Sequence, residues 1–269
     1  MSNLREIVNK DEKLTSQDKY YWNYMYDLGK SFIVPYLTEK GIFKSGYHVA
    51  EIGSAEGGVL AAFMDAGASK GLGTDIAVVR LEKGKYIAGI GGIDLQYTTH
   101  DIVTQEPSDE WKNEFDLVLL RDVIEHLDNP TSALKNIKMV MKDDGKLFVT
   151  FPPYHSPYGG HQHTVKSTGG KFPYIHLLPK STFNKFIEKG VKADIGEANR
   201  IYDLRLTIPK FEKAVADAGL KVVLKECYFL RPVFKMKFGL PSLKINTLAK
   251  IPFIAKYFTL EASYILEKG

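Results

Sequence analysis

The sequence predicts an α/β fold built on a doubly wound, mostly parallel sheet. Between residues 48 and 151, short apolar runs that end in Gly or Asp alternate with stretches long enough for one short helix. The predicted strands are residues 48–52, 70–76, 93–99, 115–120 and 145–151, and the helices between them are 59–67, 78–89 and 131–142. Strands and helices that alternate at this spacing are typical of βαβ units. Right-handed crossovers then place helices on both faces of the sheet.

The flanking regions add helices and two further strands. Aromatic and aliphatic residues recur every three or four positions between residues 16 and 39, which predicts a helix with one apolar stripe. A helix at 208–219 and strands at 221–230 and 259–268 follow the central region, which brings the number of predicted strands to seven. We therefore expect a single domain, 1–269, with additions at three places. These are an N-terminal helical segment at 1–45, an insertion at 152–206 and a second insertion at 231–258.

Composition excludes several classes of protein. The 269 residues are 44% hydrophobic and 25% charged, which is typical of a globular protein and not of a disordered or collagen-like one. A single cysteine, Cys227, cannot form an internal disulfide, so a reducing compartment is expected. The first thirty residues lack the apolar core of a secretory signal, and no apolar run has the length of a membrane span. The expected location is cytoplasmic.

A glycine-rich loop follows the first predicted strand of the sheet. In open α/β sheets, ligands bind outside the carboxyl ends of the strands. The sequence there, EIGSAEGG, is not the dinucleotide fingerprint, because Ala55 replaces its middle glycine. A pyrophosphate prefers bare backbone N–H groups, whereas this loop carries the carboxylates of Glu51 and Glu56. The loop therefore favours a ligand with positive charge.

This loop resembles motif I of the class I S-adenosylmethionine (SAM)-dependent methyltransferases, in the manner of methyltransferase types 11 and 12. The similarity continues through Asp75, Asp101 and the segment FDLVLLRDVIEHLDNP, and it covers roughly residues 47–152. The resemblance implies a Rossmann-like fold with an antiparallel last strand, SAM as the cofactor, and methyltransferase activity. SAM carries a sulfonium and an ammonium group and no phosphate, which agrees with the acidic loop.

The resemblance also implies cofactor contacts from successive strand ends. In the family, the acid at Asp75 accepts hydrogen bonds from the ribose hydroxyls, and the acid at Asp101 accepts one from the adenine amino group. The residues at 121 and 122 flank the methionine end of the cofactor. The implied set is Glu51, Gly53, Ser54, Ala55, Gly57, Asp75, Ile76, Asp101, Ile102, Arg121 and Asp122. Taken alone, the glycines also fit a tight turn and the two acids also fit helix caps.

Histidines supply the candidate catalytic groups. Four of the seven fall within residues 152–187, a stretch with four lysines and no acidic residue, which is predicted to form a lid over the substrate. Three roles compete there: a general base, a metal ligand, and a cationic surface for an anionic substrate. The spacing of His161 and His163 suggests metal binding, but no carboxylate or thiolate lies near them in sequence, so no metal is expected. The candidate bases are His126, His155, His161 and His163, with a structural role as the alternative for His126.

These observations predict methyl transfer to an oxygen of a small molecule or glycan, and an anionic or lipid-linked acceptor would fit. Nitrogen-directed members that act on planar substrates often carry an Asn/Asp-Pro-Pro-Tyr motif after the fourth strand, where this chain has RDVIEH. Two alternatives remain open. One is a Rossmann-type oxidoreductase that binds NAD or a nucleotide sugar. The other is a non-catalytic SAM-fold protein that binds at a membrane surface.

The segment 231–258 is basic and rich in aromatic residues. It contains six basic residues and no acidic one. A helical cap that buries its apolar side chains is one interpretation. The other is peripheral contact with an anionic membrane, which would lie at the inner surface. Nucleic acid is not an expected partner, because no nucleic-acid-binding module is recognisable.

Overall fold

The computed structural model describes residues 4–269, and its central feature is an eight-stranded sheet. The strands are β1 (His48–Ile52), β2 (Lys70–Asp75), β3 (Leu95–Thr99), β4 (Phe115–Arg121), β5 (Met141–Phe151), β6 (Leu220–Leu230), β7 (Leu243–Lys244) and β8 (Glu261–Lys268). Their order is β3-β2-β1-β4-β5-β8-β6-β7. The first four strands pair in parallel, and β6 pairs with β7 in antiparallel fashion. The predicted α/β fold, with a mostly parallel sheet and antiparallel last strands, is confirmed.

The predicted number of strands was too low by one. The additional strand, β7, has two residues, and its register pairs Tyr228 with Lys244 and Leu230 with Leu243 across a bulge. Both of its side chains are exposed. Two exposed residues cannot produce the alternation by which a strand is recognised in sequence.

The helices of the central region lie close to where the sequence places them. The helices are α1 (Leu4–Lys10), α2 (Ser16–Leu28), α3 (Val34–Glu39), α4 (Gly58–Asp65), α5 (Val78–Gly91), α6 (Pro130–Val140), α7 (Lys180–Ile187), α8 (Lys192–Leu204), α9 (Ile208–Asp217), α10 (Val233–Phe238) and α11 (Pro252–Phe258). The predicted helix at 16–39 is interrupted by a π-helical turn, Gly29–Ile33, in which the Val34 N–H bonds the Gly29 carbonyl. Pro35 follows directly and has no N–H to donate, so the α-helical ladder is broken there in any case.

The structure divides into two compact units. The first contains the chain up to Leu120, residues 135–148 and Lys268. The second contains residues 121–134, residues 149–267 and Gly269. The expectation of one domain with an N-terminal helical segment and two insertions stays a prediction.

In the first unit, helices pack closely on the parallel strands. Val49, Ala50 and Leu117 are fully buried within the sheet. A Cβ at Gly29 would lie 2.7 Å from the Ala62 Cβ, so glycine permits α4 to approach the helical N-terminal segment. This packing fixes α4, whose first turn follows the glycine-rich loop.

In the second unit, the insertion at 152–206 has more regular structure than predicted. The helices α7 and α8 enclose a small core, which consists of Val165, Ile175, Phe183, Ile187, Ala198 and Tyr202. Helix α7 has eight residues and buries only two of them, which is too little for a sequence pattern to reveal.

The segment 231–258 leaves most of its apolar side chains exposed. Val233 and Ile245 are buried, whereas Phe238 and Phe253 are 64% and 63% exposed. The interpretation as a cap that buries its apolar side chains is therefore wrong for most of the segment. Among residues 4–269, no helix has the length and apolar character needed to cross a membrane.

Candidate functional site

The predicted cofactor residues of the first unit meet at one edge of the sheet. The parallel register aligns Ile52 with Thr74 and Asp75 with Thr99, so β1, β2 and β3 end side by side. The glycine-rich loop, the Asp75–Ile76 pair and the Asp101–Ile102 pair follow these three ends. The Ala55 N–H donates to Asp75 Oδ2 at 2.9 Å, which ties the loop to the second strand end.

The loop requires glycine at Gly57 for two reasons. Its φ is +72°, in the left-handed region that disfavours side chains. A Cβ at this position would also lie 2.0 Å from the Tyr97 hydroxyl oxygen. Gly53 has a similar φ of +71°, and the N–H groups of Gly53 and Ser54 both donate to the Thr74 carbonyl. The loop is thus held in a conformation that presents its backbone at the strand ends.

The two acids predicted to bind the nucleoside also organise the local backbone. Asp75 accepts from the N–H groups of Ala55 and Ala77, one on each oxygen. Asp101 accepts from the Thr104 hydroxyl and the Val103 N–H, which lower the pKa of its carboxyl. Neither acid is the N-cap of a helix, but each accepts a backbone N–H group from its own turn. Each carboxylate oxygen has a second lone pair, so these turn contacts and ligand binding are compatible.

The two loop acids have different surroundings. Glu56 forms an ion pair with Arg80 at 3.0 Å. Glu51 is 3% exposed at the end of β1. Burial, followed by the Glu51 and Glu56 carboxylates, raises the pKa of the Tyr97 hydroxyl. Both carboxylates therefore lie close to the end of β1.

These groups have the chemistry that SAM requires. Ser54 Oγ is buried and has no hydrogen-bond partner among the described residues. The carboxylate of Asp75 can accept from vicinal hydroxyls. The Ile76 side chain is 70% exposed beside it, where an apolar surface could cover an adenine ring, and Ile102 is buried. An orphaned hydroxyl, an acid and an exposed apolar side chain at adjacent strand ends fit a nucleoside without phosphate.

In the second unit, the structure brings together three of the four predicted catalytic histidines. The ring centroids of His126 and His161 are 4.8 Å apart, and those of His161 and His163 are 6.0 Å apart. The ring of His155 packs on Tyr154 and Tyr257 instead, and its catalytic role stays a prediction. We refer to His126, His161 and His163 as the histidine cluster.

Burial favours the neutral form of His161 and His163. Burial, followed by the charges of the neighbouring His126 and His163 rings, lowers the pKa of His161 to about 3. Burial also lowers the pKa of His163, followed by the charge of Arg231. A neutral imidazole has a lone pair that can accept a proton or bind a metal ion.

Two carboxylates and one guanidinium lie beside the histidine cluster. Arg231 donates from Nη2 to both oxygens of Asp122, at 2.8 and 2.9 Å, and from Nε to Glu261 at 2.8 Å. Asp122 has a φ of +52° directly after β4. The cofactor role predicted for Arg121 and Asp122 stays a prediction, and the structure places both residues in the second unit.

Glu125 and His126 lie on a short 3₁₀ turn, Ile124–His126, that follows β4. Glu125 is 2% exposed, and neither of its oxygens has a hydrogen-bond partner among the described residues. Burial, followed by the charge of Asp122, raises the pKa of Glu125 well above its usual value. His126 Nδ1 lies 2.6 Å from Glu197 Oε1.

Four residues of this site were not predicted from the sequence: Glu125, Glu197, Arg231 and Glu261. Glu125 is adjacent to His126, and that was the only local signal. Glu197 lies 71 positions from His126, and Arg231 and Glu261 lie 109 and 139 positions from Asp122. A single sequence holds no information about proximity over such separations. No carboxylate lies near His161 in sequence, and this argued against a metal. In the folded chain, Glu125 provides a carboxylate beside His161.

Comparison with known proteins identifies the family of this chain. A model of the methyltransferase domain matches residues 21–224. A ubiquinone biosynthesis O-methyltransferase of Actinobacillus pleuropneumoniae serotype 5b (strain L20) is 26% identical over 162 residues, which cover 57% of this chain and 64% of that protein. The match thus spans less than two thirds of that relative.

Solved structures share the fold. A SAM-dependent methyltransferase from Mesorhizobium loti matches with a TM-score of 0.55 and 12% identity, covering 88% of this chain and 99% of that one. Magnesium protoporphyrin IX methyltransferase from Synechocystis PCC 6803, solved with bound SAH, matches with a TM-score of 0.51 and 14% identity, covering 99% and 94%.

The fold and the first unit's strand ends define a class I SAM-dependent methyltransferase. The chain belongs to the methyltransferase-domain family, whose model covers more than half of it. Its cofactor is SAM, as predicted, and the alternative of a Rossmann-type oxidoreductase is set aside.

Proposed function

We propose that this enzyme transfers the SAM methyl group to a hydroxyl oxygen of a small-molecule or glycan acceptor. The observation that carries the proposal is the histidine cluster of the second unit. His126, His161 and His163 form a continuous row of imidazoles, and a hydroxyl bound there would have a proton acceptor within reach. The sulfonium of SAM is already electrophilic, so the protein mainly has to align oxygen, methyl carbon and sulfur.

The expected contributions differ in size. Alignment of the reacting groups can supply up to roughly 7–11 kcal/mol. Transfer of the hydroxyl proton to an imidazole adds about 10²–10⁴-fold. The oxygen forms a bond to the methyl carbon while the carbon–sulfur bond breaks, and the products are a methyl ether and S-adenosylhomocysteine.

The names of relatives support oxygen as the acceptor atom. The relative from Actinobacillus pleuropneumoniae is named for O-methylation in ubiquinone biosynthesis. Its 26% identity does not define the acceptor of this chain. It supports a hydroxyl-bearing acceptor over a nitrogen-bearing one, in agreement with the absence of an Asn/Asp-Pro-Pro-Tyr motif after β4.

The exposed segment 231–258 supports an acceptor that is carried at an anionic membrane surface. The exposed cations Lys235, Lys250 and Lys256 share this segment with the exposed rings of Phe238 and Phe253. Cations attract anionic headgroups, and aromatic side chains insert at the interface. A lipid-linked or phosphate-bearing acceptor would be concentrated at such a surface.

The experiment is methyl transfer from labelled SAM to acceptors matched in shape, one with a hydroxyl and one with an amine at the same position. We expect label in the hydroxyl compound only. A His163→Gln variant should keep its affinity for SAM and lose about 10²-fold or more in kcat. Label in the amine compound, or an unchanged kcat in the variant, would contradict the proposal.

A further inference from the structure

Glu125 has a buried carboxylate whose hydrogen-bonding capacity is unused within the described residues. Its side chain is 2% exposed, and both oxygens lack a hydrogen-bond partner. A buried carboxylate costs several kcal/mol unless a positive charge compensates it. Arg231, the nearby guanidinium, directs its hydrogen bonds to Asp122 and Glu261. Glu125 thus faces a position where a cation would be stabilised.

Two imidazole nitrogens face the same carboxylate oxygen. Nε2 of His126 lies 3.7 Å from Glu125 Oε1, and Nε2 of His161 lies 3.6 Å from it. These separations are too long for hydrogen bonds. Two ligand atoms that share a tetrahedral zinc ion at 2.0–2.2 Å are about 3.4 Å apart. The three ligand atoms lie within 4.8 Å of one another. The two separations between the carboxylate oxygen and the imidazole nitrogens match a tetrahedral site within a few tenths of an ångström.

The orientation of His126 also supports a metal site. Its Nδ1 is 2.6 Å from Glu197 Oε1, so Nδ1 donates its proton there and the lone pair of Nε2 faces Glu125. A carboxylate that holds the far nitrogen of a histidine is the usual support of a metal-bound imidazole. Glu197 is a positioning residue in this arrangement.

We propose that Glu125, His126 and His161 bind a divalent first-row transition-metal ion whose remaining positions take the hydroxyl oxygen of the methyl acceptor. Two imidazoles and one carboxylate suit zinc, cobalt, iron or manganese better than magnesium or calcium, which prefer oxygen ligands. Three protein ligands leave at least one position open, as in catalytic zinc sites. This proposal differs from the expectation of no metal, which was drawn from the sequence around His161.

The binding of the acceptor hydroxyl to this ion rests on the proposed function. A hydroxyl bound to the ion becomes more acidic and loses its proton to His163, the imidazole of the histidine cluster that holds no metal here. The oxygen then bonds the methyl carbon as the carbon–sulfur bond breaks. The ion changes neither charge nor oxidation state.

The test is metal binding by the tag-free full chain after dialysis against a chelator, measured by calorimetry with zinc chloride and by elemental analysis. We expect one zinc ion per chain. Glu125→Gln and His161→Gln should each weaken binding by at least tenfold, and Glu197→Gln should weaken it by about 10–100-fold. His155→Gln is the matched histidine control and should bind zinc as the wild type does. Glu188→Gln is the matched control for Glu197.

Cobalt provides a readout that is independent of zinc affinity and activity. Cobalt bound to the wild type should give visible absorption bands that shift when a hydroxyl acceptor is added. The bands should be absent in His161→Gln, whose fold is checked by circular dichroism. Wild-type protein that binds neither zinc nor cobalt, or a Glu125→Gln variant that binds both unchanged, would overturn the proposal.

The metal site and the proposed function can be contradicted by different outcomes. One bound zinc ion without methylation of any hydroxyl acceptor supports the site and contradicts the function. Hydroxyl methylation by metal-free protein, unaffected by chelator, supports the function and contradicts the site.

Discussion

Tyr154 and His176 hold each other by two hydrogen bonds that cross between their side chains and backbones. His176 Nε2 donates to the Tyr154 carbonyl at 2.6 Å, and the Tyr154 hydroxyl donates to the His176 carbonyl at 2.8 Å. The rings also meet edge to face, with centroids 5.0 Å apart. His176 is fully buried. It was one of the four histidines considered for chemistry, and the structure gives it a structural role.

This pair predicts a pH dependence of stability. Burial lowers the pKa of His176 to about 4 from an ordinary value of 6.5, and the Tyr154 carbonyl opposes the shift. The unfolded chain therefore takes up the proton first, so stability is complete above pH 6.5 and is lost as pH falls towards 4. The loss over this window is about 3 kcal/mol.

The measurement is urea unfolding from pH 7.5 to pH 5 for the wild type and His176→Gln, which keeps a donor but does not titrate. The other histidines contribute equally to both proteins and cancel in the difference. We expect the variant to lose part of the slope of unfolding free energy against pH. Parallel slopes would show that His176 is not the titrating group.

The second prediction concerns the cofactor. Asp75→Asn keeps the shape of the side chain and removes the charge that would accept the ribose hydroxyls. Two charge-assisted hydrogen bonds at about 1.5–3 kcal/mol each predict a loss of SAM affinity of more than tenfold. Calorimetry with SAM measures the loss, and Asp109→Asn at an exposed position is the control. Equal affinities in the two variants would refute the assignment of Asp75.

The third prediction separates steric contact from backbone strain in the glycine-rich loop. Gly57 and Gly41 have nearly the same φ, +72° and +71°, but a Cβ at Gly41 would meet nothing within 4 Å. Gly41→Ala should cost about 1–2 kcal/mol from strain alone. Gly57→Ala adds the contact with Tyr97 and should cost about 1–3 kcal/mol more, together with loss of SAM binding. Thermal and chemical unfolding give the two values, and equal costs would contradict the close contact.

The fourth prediction concerns the membrane surface. Vesicles with anionic headgroups should bind the protein at low salt, and neutral vesicles should not. Reversal of Lys235, Lys250 and Lys256 to Glu should weaken binding by about 100-fold or more, since each nearby cation contributes about 1 kcal/mol. Lys244 is not used, because its Nζ bonds Glu226 at 2.8 Å.

Co-sedimentation measures the binding. Reversal of three exposed lysines elsewhere, Lys40, Lys44 and Lys135, controls for net charge and should have a smaller effect. Phe238→Ser with Phe253→Ser should also weaken binding if the rings insert. Binding to neutral vesicles, or equal losses in both lysine triples, would contradict a specific surface at 231–258.

The sequence was informative where local patterns determine structure. The run HVAEI predicts β1 with the bounds that the structure has, because a buried strand is bounded by glycine and polar residues on both sides. The loop from Gly53 to Gly57 was recognisable because its conformation restricts the residues that it accepts. The two-residue strand β7 and the eight-residue helix α7 bury too little to leave a pattern.

The spatial grouping of the histidines could not be predicted, for a physical reason. His155 and His161 have similar sequence surroundings, and only the path of the chain separates one from the other. Proximity in sequence suggested His161 and His163 as a metal pair, whereas the structure joins His161 to Glu125 and His126. Contacts of this kind depend on long-range packing, which a single sequence without alignment does not encode in any local signal.

Arg231 joins parts of the chain that are made at different times. Asp122 precedes it by 109 residues, and Glu261 follows it by 30. Closing a loop of the longer separation costs about 4 kcal/mol of chain entropy, which docking of the surrounding strands must offset. The acidic end of β4 therefore pairs with its guanidinium only after Arg231 has been synthesised, and the arrangement also needs Glu261. The glycine-rich loop consists of residues from the first half of the chain, so a nascent chain can fold it before the groups around Glu125 are assembled.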